Sequence, residues 1–157
     1  MQSKLAQLQQ YCDRIGSSDA TSTAAACAIT VADVIDGIAC VMPKDKRTAE
    51  KFCLFLYLIA SYAGPLGCDV ILQAGGIPVL FDCLRSWPRE RNVVNYASWA
   101  LFWLVEYGSL AVKSAMRSVP DCEALLIAAY KSKSACYFAA AAALEELGYE
   151  KPGCAIM

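Results

Sequence analysis

Ala74-Gly75-Gly76-Ile77-Pro78-Val79-Leu80-Phe81-Asp82-Cys83-Leu84 sets the architecture of this chain. Gly75-Gly76 turns the backbone, because glycine enters positive φ without a Cβ clash. Pro78 falls in the first turn of the helix that follows, where its missing N–H costs nothing. Val79, Leu80, Cys83 and Leu84 then recur at helical spacing. Trp87-Pro88-Arg89-Glu90-Arg91 breaks that helix. Asn92 to Tyr107 reads as a longer one, carrying Val93, Val94, Ala97, Ala100, Leu101, Leu104 and Val105, with Gly108 as its C′ residue.

The same plan extends in both directions. Upstream, Leu5, Leu8, Tyr11, Cys12 and Ile15 outline a short amphipathic helix. Ala24 to Met42 follows, then a break at Pro43-Lys44-Asp45-Lys46-Arg47. Thr48 to Ala63 is the next helix, stopped by Gly64-Pro65-Leu66-Gly67, and Cys68 to Gln73 is a short one. Downstream, Leu110 to Met116 is short, and Val119-Pro120 takes the place of Ile77-Pro78, 42 residues later by subtraction. Lys131-Ser132-Lys133 is a further break, and Tyr137 to Leu147 a final helix stopped by Gly148. A recurrence of roughly 40–47 residues is that of tandem helical units, each too small to bury its own apolar face. The expected fold is all-α: a capping helix over 1–16, three units over 17–64, 65–107 and 108–148, and a tail over 149–157.

At this point the residues resemble the armadillo family. Gly75-Gly76-Ile77-Pro78-x-Leu80-x-x-Cys83-Leu84 is similar to its second-helix signature, and Trp99-Ala100-Leu101 to the same triplet of its third helix. The resemblance is densest over 66–107. It implies a right-handed α–α superhelix, no enzymatic activity, and a protein partner, peptide or helix, held in a groove lined by third helices. Tyr96, Trp99 and Trp103 are the expected groove residues, with Phe102 expected in the core. The importin type carries an asparagine two positions after the triplet, where it clamps a peptide backbone. Trp103 stands there in this chain, which speaks against nuclear-signal binding and for an apolar or helical ligand, or for a neighbouring repeat.

Composition agrees with a folded interaction domain. The 157 residues are 57% apolar and 18% charged, with a net charge of −1. There is no basic excess of the kind nucleic-acid binders show. Nine cysteines and no histidine leave no familiar zinc spacing and no Ser-His-Asp or Cys-His catalytic pair. No phosphate-cradling glycine pattern or nucleophile elbow occurs, so neither a metal nor another cofactor is expected. The cysteines lie in apolar helical runs and read as small hydrophobes in a reducing compartment. Asp33 with Asp36, and Glu145 with its neighbours, read as solvated helix stripes. The N-terminus lacks an apolar signal core, which points to the cytoplasm. Phe52 to Cys68 is uncharged, but Gly64-Pro65 cuts it short of a comfortable span, so it reads as a buried helix.

Two features point to a membrane surface. Cys154-Ala155-Ile156-Met157 fits a prenylation signal, with farnesyl expected at Cys154. A single prenyl chain anchors reversibly, so a second signal is expected. The breaks before the third helices supply a candidate: Lys44, Lys46 and Arg47, then Arg89 and Arg91, then Lys131 and Lys133. Stacked units would align them as a basic edge facing anionic lipid. The competing expectation is a self-assembling subunit without a lipid anchor, homo-oligomeric through its repeat end faces.

Overall fold

The computed structural model describes residues 45–132 and 137–153. The expected helices over 1–16 and 24–42, residues Asp33, Asp36, Lys44, Lys133 and Cys154, and the remaining cysteines outside 45–132 fall beyond these. The described residues form six helices and no strand. In chain order they are α1 Lys46–Gln73, α2 Gly76–Ser86, α3 Arg91–Tyr107, α4 Leu110–Arg117, α5 Cys122–Lys131 and α6 Tyr137–Glu146. The all-α class is therefore as expected.

Asp45 opens α1. Its carboxylate accepts from the Arg47 backbone N–H at 3.1 Å and from the Thr48 hydroxyl at 2.5 Å. The Thr48 hydroxyl in particular holds the Asp45 carboxyl below its ordinary range. The expected break at Gly64-Pro65 is present as a bend inside α1. Gly64 has φ 56° and ψ −134°, a conformation left almost wholly to glycine. Pro65 then begins the second segment, where it has no helical N–H to lose. α1 has the length and apolarity of a membrane span, with a mean hydropathy of 1.6 over a window that is 39% buried. Ahead of the bend, its uncharged run from Phe52 to Ala63 is roughly 18 Å long, against about 30 Å of bilayer hydrocarbon. Phe52, Phe55, Leu56 and Ile59 lie in the core.

α3 organises the rest. It packs against both α1 and α6, while α2 meets α5 and α1 meets α4. Val93, Val94, Ala97, Ser98, Ala100, Leu101, Leu104 and Val105 of α3 are buried. Their counterparts are Phe52, Cys53, Phe55, Leu56 and Ile59 on α1, and Ala139, Ala140, Ala143 and Leu144 on α6. One hydrophobic cluster runs through all six helices.

Two details differ from the sequence reading. The corner that starts α2 is Gly75 at φ 75°, and the corner that starts α5 is Asp121 at φ 61°. These equivalent corners are 46 residues apart by subtraction, not 42. Pro78 lies inside the first turn of α2, whereas Pro120 precedes α5 altogether. The Ile-Pro and Val-Pro pairs are alike in sequence but not in place. The second detail is Gly108. It follows α3 with φ −72° and ψ 147°, extended rather than left-handed. Glycine is required there by space, since a Cβ would come within 2.7 Å of Val112 Cγ1 and closer still to the Leu104 carbonyl oxygen.

These two glycines make different demands, and both are testable. Gly64→Ala is expected to lose about 1–3 kcal/mol to backbone strain. Gly108→Ala is expected to lose at least as much, through displacement of α4. Urea unfolding of the two variants against the parent protein measures both, and parental stability in either would contradict the geometry.

Candidate functional site

The side of α3 left over by its two neighbours carries the aromatic residues. Trp99 meets Tyr57 of α1 at 6.4 Å between ring centroids, Phe102 at 5.6 Å and Phe138 of α6 at 5.7 Å. Phe102 meets Phe138 at 5.7 Å and Trp103 at 5.0 Å. Trp103 stacks on Tyr107 at 5.0 Å with the rings 17° from parallel. The result is one continuous row across three helices, half-buried for most of its length and open at Phe138, which is 51% exposed.

Two of the three expected groove residues, Trp99 and Trp103, lie in this row. Tyr96 is half-buried on the same helix but meets none of these rings. Phe102, expected in the core, is half-buried at the centre of the row instead. Helical spacing explains the difference: the two buried stripes of α3 are taken by its aliphatic and small residues, which turns position 102 outward with 99 and 103. Tyr57 and Phe138 were not anticipated. Their signal was present, since each is an aromatic on a helix flanking α3, but only the packing of α1 and α6 aligns them.

Trp103 has a second role. Its backbone carbonyl lies 3.6 Å from the Cys68 thiol, which joins α3 to the second segment of α1. Its indole N–H is buried without an acceptor. An orphaned buried donor costs stability, so the ring is held by packing rather than by that group. Trp103→Phe is expected to keep stability within about 1 kcal/mol of the parent, because it removes the orphan while keeping a ring. Trp103→Ala is expected to lose more than about 1 kcal/mol. Denaturant melts of the pair distinguish this from a purely surface tryptophan, for which the two variants would behave alike.

Of the described basic edge, Lys46, Arg47, Arg89 and Arg91 lie at the starts of α1 and α3, and Lys131 ends α5. Lys46 of the first break pairs with Glu90 of the second at 3.1 Å, so the two breaks are neighbours. Arg47, Arg89, Arg91 and Lys131 are exposed. The chain leaves α6 at the opposite end. There Gly148 (φ 80°) donates to the Glu145 carbonyl at 3.0 Å and Tyr149 to that of Leu144 at 2.9 Å, closing the helix with a Schellman turn. Arg117 holds the Leu147 carbonyl at 3.0 Å, and Lys151 pairs with Glu145 at 2.5 Å. α6, with 10 residues, is about 15 Å long.

The remaining chemistry is sparse. Among the described residues no three Cys, Asp or Glu side chains gather to hold a metal. Cys53, Cys68, Cys83 and Cys122 are free and buried. Burial pushes the Cys68 thiol up to about 12 and raises Cys53 and Cys122 as well; Cys53 is raised further by its contact with Cys83. A cleft of about 450 Å³ lies where α2 faces the α4–α5 corner, lined by Pro78, Val119 and Pro120. Arg85 closes it by pairing with Asp82 and donating to the Pro120 carbonyl at 3.2 Å. Compared with known protein families, curated proteins and solved structures, the chain matches none.

Thiol chemistry offers a direct check on the core. The thiolate is the reactive form; burial disfavours it at Cys53, Cys68 and Cys122, and Cys83 is closed off from solvent. Iodoacetamide at pH 8 is expected to leave Cys53, Cys68, Cys83 and Cys122 unmodified in the native protein and to label all four in urea. Peptide mass mapping reads the result. Rapid native labelling of any of them would place that cysteine outside the core.

Proposed function

We propose that the chain is a non-enzymatic armadillo-type adaptor, a right-handed α–α superhelix that binds a protein partner along its third helices. In this reading α3, α6 and the first segment of α1 are the third helices, α2 and α5 the second, and α4 with the second segment of α1 the first. The observation that carries it is the aromatic row from Tyr57 through Trp99, Phe102 and Trp103 to Phe138, which crosses three helices side by side and stays half-exposed. Tryptophan and tyrosine in such partly desolvated positions are the residues that dominate binding energy. Tyr96, which meets none of the rings of the row, is a lesser candidate.

The adaptor works in the cytoplasm at a membrane face, tethered by a farnesyl group on Cys154. The Cys-Ala-Ile-Met sequence supports this, as does the turn at Gly153 (φ 101°) just before it. The basic edge supplies the second, electrostatic contact.

The test is in two parts. Trp99→Ala is expected to weaken capture of a native partner at least tenfold while the fold persists, and intact mass of protein from its source cell is expected to show an isoprenoid with loss of the last three residues. An unmodified mass removes the tether. Light scattering that shows stable self-association, together with undiminished partner capture by Trp99→Ala, favours the self-assembling subunit instead.

A further inference from the structure

Six large apolar side chains are exposed among the described residues: Tyr137 and Phe138 open α6, and the other four lie where the first segment of α1 and α3 end and the next segment begins. Leu110 is 83% exposed, Leu66 62%, Tyr62 50% and Tyr107 39%. They share one edge. The Cys68–Trp103 contact sets the second segment of α1, and Leu66 with it, beside the end of α3. Trp103 stacks on Tyr107, and Leu110 opens the next helix three residues on. Lys113 of α4 reaches Glu146 at 2.9 Å, which brings in the end of α6.

The charge of this edge is the opposite of that at the other end. Glu145 and Glu146 are satisfied by Lys151 and Lys113. Glu106, exposed beside Tyr107, and Asp69, beside Cys68, pair with no cation among the described residues. We propose that the edge formed by Tyr62, Leu66, Tyr107 and Leu110, flanked by Asp69 and Glu106, docks a basic amphipathic segment of a partner protein. Leucine or aromatic side chains of that segment cover the four apolar residues. Its Lys or Arg residues meet the two carboxylates and the outer face of Tyr107, where a cation is attracted by the ring.

Charge separates this occupant from the two others that an apolar edge admits. An anionic bilayer would bring its own negative charge onto Glu106 and Asp69. A second copy docking through the same edge would bring the same unpaired carboxylates, and no added cation, to the contact. The surface adjoins the end of the aromatic row, where Tyr107 stacks on Trp103, and rests on the adaptor reading only in taking a protein as its ligand.

Selection of short random peptides displayed on phage, using the purified full chain as bait, tests the proposal. Peptides combining Lys or Arg with Leu or aromatic residues are expected, and their affinity is expected to fall as salt rises. Glu106→Lys and Leu110→Asp, both at exposed positions, are each expected to weaken the selected peptides roughly tenfold or more. Trp99→Ala is expected to leave them unchanged, so a failure here is distinguishable from a failure of the aromatic row. Selection of acidic peptides, no enrichment, or affinity indifferent to Glu106→Lys would overturn the proposal. So would sedimentation with phosphatidylserine vesicles that Leu110→Asp abolishes, or a dimer that the same change disperses.

Discussion

α3 is buried along two of its sides, and most of what the molecule presents follows from that. A helix repeats every 3.6 residues, so two apolar stripes leave a single strip free. On α3 the stripes are built from Val, Ala, Ser and Leu, several of them small, and α6 answers with Ala139, Ala140 and Ala143. Small facing residues let helix axes approach closely, and close axes carry the larger side chains beside them into contact. Trp99 thus touches α1 and α6 at once. The aromatic row is a consequence of the core: its rings are half-buried because the stripes beside them are fully buried.

The same packing gives the molecule two unlike ends. Side-by-side long helices put all their starts at one edge and all their finishes at the other. Lys46 reaching Glu90 is the contact that shows this at the first edge, and Lys113 reaching Glu146 shows it at the second. Exposed ion pairs of this kind contribute little stability. Their value here is that they fix which breaks are neighbours. A residue placed in one break acts together with residues some 45 positions away, which no local reading of the chain would join.

Much of the fold was legible because the chain marks its breaks with glycine and proline. Gly64-Pro65, Gly75 and Gly148 each interrupt or end a helix where their chemistry requires, and Trp87 to Glu90 joins α2 to α3. Register was less legible. Val119-Pro120 looks like Ile77-Pro78, yet the left-handed corner is carried by Gly75 before α2 and by Asp121 before α5. Aspartate tolerates the left-handed region well enough to replace glycine there, so the geometry recurs without its signature. Gly108 illustrates the converse, a familiar residue in the familiar place for an unfamiliar reason. Phe102 was misplaced because an aromatic inside an apolar helix carries no local mark of which way it faces. The exposed Tyr62, Leu66 and Leu110 were illegible for the same reason, since only the limits of the neighbouring helices leave them uncovered.

The distribution of charge along the long helices bears on what the two ends are for. A helix favours carboxylates in its first turn and cations in its last. α1, α3 and α6 have no acidic residue in the first turn and no basic residue in the last. Instead Lys46, Arg47 and Arg91 stand at the starts, and Glu106, Glu145 and Glu146 at the finishes. The other three helices do not share the pattern, since α2, α4 and α5 carry Arg85, Arg117 and Lys131 in their last turns. Asp45 and Glu90, the N-cap residues of α1 and α3, follow that preference, but the cations beside them and the carboxylates at the finishes run against it. A basic edge and an acidic edge, each opposing the dipoles beneath it by a few tenths of a kcal/mol per residue, are what a molecule would carry if each edge met a partner of the opposite sign.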